Sequence, residues 1–258
     1  RISIFSDYPD PKDCHIEGIN LRGGVCSFLW DAGHTGKCDF ISHINGKSYL
    51  SKRTLKTEDE SILIRYTKGL SILEKVKEKE DEFFDKYVSG RDPFGFGDGF
   101  KNYKAQKTGA YTIPLYCVKK EINYIKCSQI DKKYKPLSNK WKVLVAKASP
   151  GGDTLPHSII SAPVLSEPKS VCTNGLFVVK TVKSKVEAQN LIDYMHTSFF
   201  RFMMLLAKNG HNLTNNVYRY VPVLDLSKKW TDKKLFARYG ITKAEQDFIK
   251  SIIKNIND

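Results

Sequence analysis

The chain has 258 residues, 41% of them hydrophobic and 12% aromatic, enough to bury a core in one large or two smaller domains, which excludes a disordered tail. Its formal net charge of +14 favours a polyanionic partner. The longest apolar stretch, around Phe199 to Ala207, is interrupted by Arg201, so no membrane span is expected.

The first residues, Arg1 to Phe5, form an apolar strand-like run with no initiator Met and no signal-peptide charge pattern, as expected of a fragment of a longer polypeptide. A Pro-rich turn at Tyr8 to Pro11 follows. Next comes an apolar strand from Gly24 to Trp30 and a partner near Cys38 to His43, with Asp31 to Gly36 suited to a hairpin between them. Asn45-Gly46 is a second turn signal. Thr57 with Glu60 reads as a capping box, and a helix is predicted somewhere between Ser61 and Tyr87, its buried stripe carrying Leu70, Leu73, Val76, Phe83 and Phe84.

Gly and Pro punctuation and β-branched runs over residues 89 to 182, notably Trp141 to Val145 and Gly175 to Val182, predict short strands and loops. Ser184 with Glu187 forms another capping box. From Val186 apolar residues recur at helical spacing to Gly210, a predicted helix of about six turns. Thr231 begins a short helix that Gly240 stops. Thr242 with Glu245 caps the last, which buries Phe248, Ile249, Ile252, Ile253 and Ile256.

Charge is unevenly placed. Residues 1 to 60 carry 8 Lys and Arg against 9 Asp and Glu, whereas residues 101 to 147 carry 12 against only Glu121 and Asp131. A Lys-rich composition alone, 34 Lys against 8 Arg, would also put Lys on any solvated face. The clustering with few acids favours nucleic acid. Interleaved Tyr103, Tyr111, Tyr116, Tyr124, Tyr134 and Trp141 suit either stacking on bases or the inward face of strands.

No complete active site is legible. There is no Pro-Pro for an amino-methyltransferase loop, and Asp92-Pro93-Phe94-Gly95 lacks both the second Pro and the ring. Gly95 to Gly99 resembles a cofactor-binding glycine loop by composition only and reads as a flexible loop. Asp131-Lys132-Lys133, Glu167-Pro168-Lys169 and Asp232-Lys233-Lys234 fit the nuclease pattern of an acid two residues before a Lys, which a Lys-rich chain yields by chance. The six Cys lack a C-x-x-C pair and read as free thiols, and no metal site is expected.

Asp7-Tyr8-Pro9 with Lys12-Asp13-Cys14, then Arg22 to Asp31 (RGGVCSFLWD), resemble the stretch downstream of the catalytic loop in adenine-specific DNA methyltransferases of type II restriction-modification systems. Lys142 to Ala148, Ala162-Pro163-Val164 with Glu167-Pro168, Ser198 to Phe202, Tyr220 to Ser227 with Trp230-Thr231-Asp232, Tyr239 to Thr242 and Glu245 through Ile253 resemble the recognition region of the same proteins. The resemblance covers nearly the whole chain in order. It implies an α+β chain, with residues 1–55 the last strands of a Rossmann-like methyltransferase sheet, 56–88 a linking helix, and 89–258 a β-rich target recognition domain with packed helices. It implies recognition of double-stranded DNA for N6-adenine methylation, alongside a methyltransferase portion of the same polypeptide, and the free thiols point to a reducing cytoplasm. The family's motifs for S-adenosylmethionine and the target adenine have no counterpart here. No catalytic, cofactor-binding or metal residue is therefore assigned, and S-adenosylmethionine is expected for the complete protein only.

On that reading Lys101, Lys104, Lys107 and Lys147 contact phosphates, which sets the register without reading sequence. Arg91, Asn102, Gln106 and Asn174 are candidate base readers, because Arg matches guanine and amides match adenine through paired hydrogen bonds. Ser149, Gly151 and Gly152 lie in a loop after a predicted strand, where glycines permit close approach to a backbone. Restriction nuclease, protein-interaction module and RNA binding remain the alternatives.

Overall fold

A computed structural model describes residues 1–14, 24–55, 62–118, 121–149, 155–208, 210 and 212–255. Its architecture is mixed α+β, with three small sheets and, among the described residues, six α-helices.

The first sheet comprises β1 (Ile2–Tyr8), β2 (Val25–Trp30), β3 (Cys38–Ile44) and β4 (Lys47–Arg53), in the order β2-β1-β3-β4. The expected hairpin between Gly24–Trp30 and Cys38–His43 is not formed. β1 lies between them, antiparallel to β2 and parallel to β3. Aromatic packing favours this insertion: the Phe5 ring of β1 stacks on Phe40 of β3 at 5.5 Å and on Phe28 of β2 at 6.5 Å. The Asn45-Gly46 turn joins β3 to β4 as expected, with φ of 53° and 70°. The Asp13 carboxylate accepts both turn amides, at 3.0 and 2.9 Å.

The Arg65 guanidinium clamps buried Asp7 through Nε and Nη2 at 2.8 to 3.0 Å and also donates to Tyr8 O, tying this sheet to the segment that enters α1 (Thr67–Lys77). Burial raises the Asp7 pKa, and Arg65 opposes that shift. The Thr57–Glu60 box lies outside the described residues. The helix ends before Phe83 and Phe84, which reach the core from the segment beyond it, Phe84 within a 3-10 turn. Ile72, Leu73 and Val76 place α1 in the main core.

The second sheet has the order β10-β7-β8, formed by β7 (Trp141–Ala146), β8 (Val164–Ser166) and β10 (Leu176–Val182), all antiparallel. The third has the order β6-β5-β9, from β5 (Tyr111–Tyr116), β6 (Ile122–Lys126) and β9 (Val171–Cys172). The continuous apolar run of β7 has a structural reason, since Val143 and Val145 face the main core while Leu144 faces a second one. β10 divides likewise, with Phe177 and Val179 in the main core and Leu176 and Val178 in the second. The second sheet is thus covered on one side by helices and on the other by the third sheet, through Leu115, Ile125 and Val171.

Four helices build the main core with α1: α3 (Lys185–His196), α4 (Ser198–Ala207), α5 (Asp232–Arg238) and α6 (Lys243–Ile252), whereas α2 (Lys135–Ser138) is a single turn. The single helix expected from Val186 to Gly210 is instead two. Thr197 is extended, with ψ of 148°, and its hydroxyl accepts from Phe200 N while Asp232 caps the next two amides. The Ser184 hydroxyl accepts from Glu187 N, but the Glu187 carboxylate reaches Lys183 N rather than its reciprocal partner. The Thr242–Glu245 box is complete, and Gly240 ends the preceding helix with φ of 59°. Ile249, Ile252 and Ile253 are buried as expected, and Ile256 lies outside the described residues. All six Cys are free.

Candidate nucleic-acid interface

Residues 101–110 are all exposed, a run of ten that carries three Lys and no acid. They lead into β5 along the edge of β6, where Lys104 and Tyr124 exchange backbone hydrogen bonds of 2.9 and 2.7 Å. The side chains of Lys101, Gln106 and Lys107 have no partner among the described residues and face solvent.

At the base of this loop the structure assembles a group that the sequence did not reveal. Tyr111 and Lys126 are cross-strand partners, and the ammonium groups of Lys126 and Lys104 lie 4.9 and 5.9 Å from the Tyr111 ring centre. The Tyr111 hydroxyl donates to Asn102 Oδ1 at 2.9 Å, and the Gln129 amide donates to Asn102 O at 2.9 Å. The Asn102 oxygen keeps one lone pair, so paired recognition of adenine would share it with the Tyr111 hydroxyl. Asn102 holds the loop against Tyr111, and Gln106 is the loop amide without a partner among the described residues.

A second group forms around Lys147. Its backbone joins two segments, N–H donating to Gly175 O at 3.0 Å and the carbonyl accepting from Leu213 N at 2.7 Å. Burial lowers the Lys147 pKa and nearby Arg91 lowers it further, while Asp92 and Asp98 pull the other way. Arg91 is exposed. Asn174 is half-buried and donates its backbone N–H to Phe96 O at 2.9 Å, its side-chain amide unpaired among the described residues. Ser149 departs from the expectation of an accessible loop residue. It is buried, with its hydroxyl donating to Ile159 O at 2.7 Å, and it fastens the loop base. Gly151 and Gly152 lie outside the described residues.

The other candidates have structural roles. Gly95 to Gly99 is not a free flexible loop, because Phe96 within it and Phe94 before it are buried in the second core, and it neither follows a strand nor opens a helix. Asp131 accepts from Lys133 N, and Asp232 caps α4. No group of three or more His, Cys, Asp or Glu among the described residues could hold a metal ion. No described helix is long and apolar enough to cross a membrane. No protein-family model matches the chain, and no curated protein matches it.

Proposed function

We propose that this chain reads double-stranded DNA as the target recognition part of an adenine-specific DNA methyltransferase of a type II restriction-modification system, acting in the cytoplasm. The observation that carries this reading is the exposed, acid-free loop 101–110 with its Tyr111–Lys126 base, a cationic projection from a braced sheet. On this reading the first sheet is the end of a Rossmann-like methyltransferase sheet. The exposed Phe28, Leu29 and Trp30 of β2 support that, as apolar edge residues suited to adjoining structure. Residues 95–99, anchored by phenylalanines, do not fit an S-adenosylmethionine cradle, so that cofactor belongs to the methyltransferase portion and no methyl-transfer step is assigned here.

Fluorescence anisotropy against random duplex DNA over a salt titration tests the reading. Binding is expected to fall steeply with salt, and Gln at Lys101, Lys104 and Lys107 together should reduce the log–log slope by about 2–3. No binding at low salt by the folded chain would rule out autonomous DNA recognition.

Asn102 and Gln106 should behave differently when preferred sites are selected from a random pool. Gln106→Ala is expected to relax one base position by roughly 1–3 kcal/mol. Asn102→Ala, acting through Tyr111, should weaken all sequences alike. A position-specific loss in the Asn102 variant would reverse these roles.

A further inference from the structure

A cleft of about 640 Å³ opens between the starting end of β7, the far end of β10 and the segment 224–227, within the size range of small-ligand sites. Trp141 and Val182, opposite each other in the β7–β10 ladder, line it together with Leu224 and Leu226. These leucines belong to the helix-packed core, whereas loop 101–110 adjoins the third sheet on the other side of the second. The cleft is therefore separate from the interface described above.

Its polar groups are mostly unspent. The Trp141 indole N–H, the Asn139 side-chain amide and the ammonium groups of Lys140 and Lys183 have no partner among the described residues. Of the two carboxylates, Asp225 accepts from Ser227 N and pairs with Lys228 at 3.4 Å, whereas Glu187 accepts, among the described residues, only from the backbone Lys183 N and keeps its negative charge against those of Lys140, Lys180 and Lys183. An aromatic wall beside a net positive lining and free donors suits a ligand with a flat ring and an anionic group.

We propose that this cleft binds a single nucleotide, its base against Trp141 and its phosphate on Lys140 and Lys183. The source is either a free nucleoside monophosphate or one unit of a DNA strand.

Calorimetric titration of the whole chain with deoxyadenosine monophosphate, with orthophosphate and with an eight-nucleotide single-stranded oligothymidylate tests this. The probes are compared for the native chain, the Lys140→Gln/Lys183→Gln double variant and Trp141→Leu. The double variant is expected to weaken nucleotide binding about tenfold or more, and Trp141→Leu should weaken the nucleotide by a similar factor but not orthophosphate. Variant-sensitive binding of the monophosphate assigns the free nucleotide, and variant-sensitive binding of the oligonucleotide alone assigns the strand. No binding of either, or binding unmoved by the variants, overturns the proposal. Lys140 and Lys183 are exposed, so the double variant keeps the test decisive should Trp141→Leu fail to fold.

Discussion

Lys142→Met is expected to destabilise the chain by about 2–4 kcal/mol at neutral pH, and by more as the pH rises. The Lys142 side chain is fully buried, and the three N–H groups of its Nζ are shared among four acceptors, Ser138 O at 3.2 Å, Lys140 O at 3.1 Å, Glu167 O at 3.1 Å and Ser170 Oγ at 3.0 Å. Removing it withdraws charge-assisted hydrogen bonds worth about 1.5–3 kcal/mol each, although Ser138 O, Glu167 O and Ser170 Oγ keep second partners in Ser170 N, Ser170 Oγ and Ser166 Oγ, and the loss is partly offset by relief from burying a charge.

The pH dependence follows from the same burial, which lowers the Lys142 pKa from 10.5 to about 8. Between those values the unfolded chain binds more protons than the folded one, so native stability rises with pH across the window. The Met variant lacks this contribution. The difference between the two should therefore be flat below pH 8 and grow above it, by an amount on the order of 1–3 kcal/mol at pH 10.5. Urea unfolding of both proteins at several pH values from 7 to 10.5 measures it. A difference that shrinks with pH would mean that the ammonium is stabilised by its acceptors more than burial penalises it.

Asp232→Ala should cost about 2–3 kcal/mol, with Asp232→Asn recovering part of the loss. The carboxylate accepts from Ser198 N at 3.0 Å and Phe199 N at 2.9 Å, capping α4 from the first turn of α5. Asn keeps one acceptor oxygen and loses the charge. Thermal unfolding should show a Tm lower by roughly 4–10 °C for Ala and less for Asn. A change below about 0.5 kcal/mol would leave the Thr197 hydroxyl as the main cap of α4.

Local chemistry was legible in the sequence where the structure uses it locally. The Asn45-Gly46 turn, the Thr242–Glu245 cap, the Gly240 stop and the apolar runs of β7 and β10 all depend on neighbours in the chain. The insertion of β1 between β2 and β3 does not, since a parallel pairing leaves no turn signature between its strands. The break at Thr197 was hidden because both α3 and α4 bury apolar residues in one core, so the periodicity runs on across it. Asp232, which caps the amide that follows the break, is 34 residues from Ser198.

The candidate interface was legible as charge but not as geometry. Loop 101–110 stands out by its Lys content and lack of acids, yet the approach of Lys126 to Tyr111 follows from strand register. Ser149 and Asn102 looked alike as polar loop residues. One fastens a loop base to Ile159, and the other orients Tyr111. Neither hydrogen bond has a sequence signature.

The strands β7 and β10 put one side chain into the helical core and the next into the core beneath the third sheet. Their backbone is a party wall: neither compartment can be dismantled while the other keeps its shape. A loosening of the helices, α1 included, is therefore expected to reach β7 and β10 and, through the second core, the sheet that carries the cationic loop.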